Sequence, residues 1–181
     1  FSHNVLIKQY PNAVFIASDI VRTNNPHLKE EEIWPEIYRL CSEALINNLD
    51  VIYDATNITP TVRARFFNKL AEKGAINYDK YAYYFITDPK KCMERVEKRN
   101  HMPNERYLPV DVIEGYGEKI IAPSVEEGFI KIVTIDNNKH DENYKEKLYD
   151  ALFLARPAHL NFKVEIVNYE KRCGTFSCNQ I

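Results

Sequence analysis

Residues 13–22 read Ala13-Val14-Phe15-Ile16-Ala17-Ser18-Asp19-Ile20-Val21-Arg22. The apolar run Ala13 to Ala17 is too short for a helix of its own and reads as a short buried strand. A carboxylate and an arginine follow at once. Asp19 and Arg22 are three residues apart, so one helical turn places both on the same side. Upstream, Phe1 to Gln9 can form the end of a helix. Downstream, Ile33, Ile37, Leu40, Ala44 and Leu45 recur at helical spacing, which predicts a helix over residues 33–48 with Pro35 confined to its first turn.

The same alternation repeats along the chain. Val51 to Tyr53 begin a second strand, leading into Asp54-Ala55-Thr56-Asn57. Thr59-Pro60 is a helix start, a hydroxyl cap followed by proline. Val62, Phe66 and Leu70 give that helix its expected buried face, and Gly74 suits its C-terminal cap. Tyr81 to Ile86 form a third strand. Asp88-Pro89 repeats the cap-plus-proline signal before a helix carrying Cys92, Val96 and Arg99. Residues 101–108 read as a loop, 109–121 as a helix and 129–135 as a fourth strand. Residues 142–155 read as a last helix, with a possible strand at 162–167. Strands alternating with helices predict a three-layer α/β domain with a mostly parallel sheet. It is expected over residues 1–155, with a C-terminal extension at 156–181 of unassigned role.

Composition narrows the partners. Apolar residues make up 45% and charged residues 28%, as in ordinary globular proteins, and no apolar run reaches membrane-spanning length. The four cysteines do not form a secreted disulfide framework or a convincing zinc set, so reduced thiols and a cytoplasmic location are expected. The net charge of −2 lacks the basic excess of a protein that grips long duplexes. A nucleic-acid partner is therefore expected as a short end in a local basic groove.

The strand ends carry the chemistry, because open α/β sheets place ligands at the carboxyl edge of their strands. Asp19 can take a proton from an attacking hydroxyl, and Arg22 can fork onto a phosphate. Asp54 can reach a magnesium ion or its water shell, with Thr56 and Asn57 on phosphate or substrate. Arg95, Lys98, Arg99 and Arg106 run across a helix and loop that can close over a nucleotide. Spacing alone favours a helix cap with a solvated arginine for Asp19 and Arg22 and a solvated face for the basic run, and an ordinary strand-to-helix turn explains Asp54 to Asn57 as readily.

Taken in order, Phe1 to Arg22, Val51 to Asn57, Arg99-Asn100, Arg106 and Leu108 to Ile113 resemble the kinase domain of the phage polynucleotide kinase family, within the P-loop kinases. The resemblance spans about residues 1–135. It implies an ATP-dependent transfer of the γ-phosphoryl group to a hydroxyl, in the first instance the 5′-hydroxyl of a polynucleotide end, with ATP and Mg2+ required. It further implies Asp19 as general base and Arg22 on the substrate phosphate. Asp54 is implied at the metal, with Thr56 and Asn57 at the substrate. Arg99 and Asn100 are implied at the nucleotide, and Arg106 as the lid arginine. The family often has its lid arginine four residues after the first; here Pro103 stands there, and Arg106 is the substitute. The family's G-x-x-x-x-G-K-S/T loop, which cradles phosphates, and the strand before it are not in the sequence. The intact protein is expected to supply them in about a dozen or more residues upstream of Phe1. The chain alone is expected to be inactive, with a vacant central position in its sheet. A kinase for a small metabolite and a catalytically silent binding module are the alternative readings.

Overall fold

The computed structural model describes residues 6–103 and 107–138, together with the backbone of 162–167. Five parallel strands form one sheet: β1 (Val14–Ala17), β2 (Val51–Ala55), β3 (Asp79–Ile86), β4 (Lys131–Asp136) and β5 (Phe162–Val167). Their spatial order is β1-β2-β5-β3-β4. The fold is the parallel α/β class that the strand–helix alternation predicts. The predicted helix at 142–155 lies outside the described residues.

The central position of the sheet is not vacant, contrary to expectation. β5 lies between β2 and β3, with Val51 opposite Lys163 and Tyr81 opposite Val164. Both inner strands thus find ladder partners, which a buried backbone requires. The sequence pattern suggested a strand here but carried no information about which edge or gap it would take.

Helices α1 (Ile7–Gln9), α2 (Ser18–Asn24), α3 (Glu30–Ile46), α4 (Pro60–Glu72), α5 (Pro89–Asn100) and α6 (Val110–Lys119) fill the connections. On one face of the sheet, Ile16, Val51 and Tyr53 pack with Ile33, Ile37 and Cys41 of α3 and Phe66 and Leu70 of α4. Tyr53 and Phe66 stack in parallel, ring centres 4.0 Å apart. On the other face, Ile52, Tyr81, Tyr83, Phe85 and Ile135 pack with Leu6 and residues of α1. Burial there, with neighbouring Tyr10, raises the Tyr83 phenol well above its ordinary pKa. A third cluster joins α5 and α6 through Cys92, Val96 and Ile113, reaching Ile58.

α3 begins at Glu30, earlier than the apolar pattern suggested. The Lys29 amide donates to Glu32 Oε2 at 2.8 Å, closing the first turn. Pro35 therefore sits inside the helix and not in its first turn. The carbonyl it leaves without a helical donor belongs to Glu31, an exposed residue that water can serve. α4 starts as predicted, with the Val62 amide donating to Thr59 Oγ1 at 3.3 Å. Its buried face is Arg63, Phe66 and Leu70, with Val62 only half-buried. Cys41 is buried and keeps a reduced thiol. Cys92 is buried on α5.

Candidate functional site

Because the strands are parallel, the residues following each one gather along one edge of the sheet. Ala17 and Asp54 are register partners, so the turn after β1 and the turn after β2 are neighbours. This edge gathers Ser18-Asp19 with Asp54-Ala55-Thr56-Asn57.

At the end of β1 the chain passes directly into α2, and Ser18 is buried against the sheet. Asp19 and Arg22 meet as their spacing predicts. Arg22 Nη1 donates to Asp19 Oδ1 at 3.3 Å. The rest of the guanidinium turns to α3, where Nε donates to Glu30 Oε2 at 3.0 Å and Nη2 donates to Glu30 Oε1. The hydrogen bonds Arg22 donates to Glu30, with the charges of Glu30 and Asp19, raise the Arg22 pKa against the opposing effect of burial. The side chain of Arg22 is 18% exposed, Asp19 60% and Glu30 63%. The Arg22 fork is thus filled by carboxylates that face water.

The end of β2 is more enclosed. Asp54 and Asn57 are buried, and Thr56 is half-buried. The Asn57 Nδ2 atom is buried without a hydrogen-bond acceptor. The residue that organises this turn is one the sequence did not single out. Arg63 is fully buried, and its Nε and Nη2 donate to Glu127 Oε2 and Oε1, each at 2.6 Å. Its Nη1 donates to the carbonyls of Asn57 at 2.9 Å and Ile121 at 3.0 Å. Its Nη2 reaches the Ala122 carbonyl at 3.4 Å. The Ile121 amide donates to the Ile58 carbonyl at 2.8 Å. This arginine therefore fastens the turn after β2 to the chain leaving α6. The signal for it was an arginine at i−3 and i−7 from Phe66 and Leu70, inside the helix's buried stripe.

The remaining candidates sit on the α5–α6 pair. Arg99 is half-buried, and its Nε is buried without a partner. The Asn100 amide bridges the loop: Nδ2 donates to the Leu108 carbonyl at 2.7 Å, and the Leu108 amide donates to Oδ1 at 3.0 Å. That staple closes the loop between the two helices. Arg106 lies outside the described residues. Arg95 is half-buried and Lys98 exposed on α5.

A family model described as an AAA domain matches residues 2–120, well over half of the chain. The chain belongs to this AAA-domain family. It is a P-loop NTPase-like family of nucleotide-binding, kinase-like proteins. The match covers β1 to β3, α1 to α6 and both strand-end turns. No curated protein matches the chain. No helix among the described residues is long and apolar enough to cross a membrane.

The donor set can be tested against the ATP and magnesium that such a family uses. Asp54 offers one buried carboxylate, a hard oxygen donor suited to magnesium. Among the described residues no group of three His, Cys, Asp or Glu forms a metal cage. A single carboxylate fits an ion that shares its coordination with phosphates and water. The unpartnered Arg99 Nε and Asn57 Nδ2 are buried donors, which suits an anionic, oxygen-rich ligand.

Proposed function

We propose that the protein is an ATP-dependent kinase that phosphorylates a hydroxyl, the 5′-hydroxyl of a polynucleotide end. The observation that carries this reading is the Asp19–Arg22 pair, its carboxylate facing water, just past the strand that neighbours the strand of Asp54 at the carboxyl edge of a parallel sheet, in a P-loop kinase-like family. Asp19 Oδ accepts the proton of the attacking hydroxyl, whose oxygen bonds the γ-phosphorus as ADP departs. Arg22 holds a phosphate of the acceptor strand by its fork and so fixes where the hydroxyl lies. Thr56 and Asn57 line the acceptor side of the turn after β2. Asp54 would hold magnesium directly or through water; when bound, the ion neutralises phosphate charge. Arg99 and Asn100 border the nucleotide, and Arg106 closes on its phosphates.

The test is transfer of label from γ-labelled ATP by the intact protein. Oligonucleotides with a free 5′-hydroxyl are compared with nucleosides and sugars. Labelled oligonucleotide supports the reading. Label on small molecules alone replaces the acceptor with a metabolite, a substitution to which the net charge of −2 is better suited. Label on neither acceptor rejects the kinase.

A further inference from the structure

The Arg22 fork that the proposed function gives to a phosphate is already closed by a carboxylate from a different helix. Glu30 stands at the first position of α3 and takes two of the guanidinium's donors, Nε and Nη2, in a forked pair. Asp19, the other partner, takes only Nη1, at the longer distance of 3.3 Å. A carboxylate and a phosphate compete for the same planar donors. The Glu30 carboxylate is also largely in water, so releasing it strands no buried charge. Arg63 offers the contrast: its carboxylate partner Glu127 is much less exposed, and three backbone carbonyls share the same guanidinium.

We propose that Glu30 is a specificity-determining counter-ion. It holds Arg22 until an acceptor brings a phosphate group to displace it, and so it disfavours acceptors that have a hydroxyl but no phosphate. The inference rests on the reading of Arg22 as the phosphate-holding residue. Glu30 touches no reacting atom and acts through Arg22. An acceptor with phosphate exchanges one anion for another on the fork. A neutral acceptor leaves Glu30 in place and gains nothing from Arg22. The choice is electrostatic and weakens as salt screens the exposed pair.

The test is equilibrium binding, which does not depend on turnover. A short fluorescent oligonucleotide with a free 5′-hydroxyl is titrated into the intact protein at low salt, with thymidine as the phosphate-free probe. Glu30→Gln should tighten the oligonucleotide about fivefold, the scale of an exposed ion pair at low salt, and leave thymidine unchanged. Glu30→Ala should agree in direction. Glu31→Gln removes the same charge one residue away, on an exposed side chain, and should change binding less than twofold. In an Arg22→Met background the gain from Glu30→Gln should vanish. Equal gains from Glu30→Gln and Glu31→Gln would overturn the proposal, since net charge would then explain both. A gain that survives Arg22→Met, or no gain at all, overturns it too. A gain without any phosphoryl transfer leaves this inference standing and removes the kinase reading.

Discussion

At the end of β1, Arg22 keeps 18% of its side chain exposed and holds two carboxylates that are themselves mostly in water. At the end of β2, Arg63 has no exposed side-chain surface and is held by one carboxylate and three backbone carbonyls. The two strands are register neighbours, so both arginines serve the same edge of the same sheet. Their surroundings give them opposite uses. A guanidinium whose partners can return to water without penalty can trade them for a ligand. A guanidinium locked among buried acceptors cannot, because letting go strands a charge and several carbonyls. The first is suited to binding, the second to holding the turn after β2 and the exit of α6 in fixed relation.

The largest effect should come from the locked arginine. Arg63→Met should cost about 3–5 kcal/mol of stability, the usual result of breaking one side of a buried pair. Urea unfolding followed by circular dichroism would measure it. Replacing Glu127 by Leu in the same chain should recover part of that loss, because the stranded carboxylate goes too. A cost below about 1 kcal/mol for Arg63→Met would place it with the solvated pairs and erase the contrast.

An intermediate effect belongs to Asn100. Asn100→Ala removes both bonds to Leu108, leaving one carbonyl and one amide to find other partners. It should cost about 1–2 kcal/mol and speed proteolysis within residues 101–108, while the sheet keeps its global unfolding midpoint to within the same amount. Unchanged cleavage would mean that the staple does not hold the loop.

Arg22→Ala should be structurally mild, below about 1 kcal/mol. It sharpens the comparison, because acceptor binding should fall about tenfold or more with loss of a forked phosphate contact. A stability loss as large as that of Arg63→Met would show that the β1 end is structural too.

The smallest effect is a control on the surface of α3. Arg39, 45% exposed, pairs with half-buried Glu36 and exposed Glu43 at helical spacing. The Arg39 hydrogen bond holds the Glu36 carboxyl below its ordinary pKa. A depressed folded-state pKa gives stability that is present above the unfolded glutamate value and is lost as pH falls through the folded value. Glu36→Gln should therefore flatten the acid limb of the stability curve by a few tenths of a kcal/mol, and leave neutral-pH binding untouched. An effect near that of Arg63→Met would mean that exposure does not separate the pairs.

What could be read in the sequence follows the same division. Alternating short apolar runs and amphipathic segments reveal a parallel α/β fold, because burial imposes those periods directly. Asp19 and Arg22 meet because a three-residue spacing on a helix is a local matter. Side-chain type along α4 points to Val62 for the buried stripe and passes over Arg63. The structure instead buries an arginine whose partners lie about sixty residues further on. Pro35 reads as a first-turn residue, whereas the Lys29–Glu32 contact sets the start of α3 earlier. Glu30 carries no local signal for a related reason: its partner is on another helix. The position of β5 depends on which strands still need partners, which no local pattern encodes.

The central claim is that the water-facing end of β1 performs the chemistry. Its most direct test is the turnover of Asp19→Asn in the intact protein, with ATP binding measured beside it. The account predicts phosphoryl transfer to a 5′-hydroxyl reduced about a thousandfold, within the range for loss of a general base, and ATP affinity unchanged. Turnover close to that of the unaltered protein would contradict it, and would move the chemistry away from the β1 end.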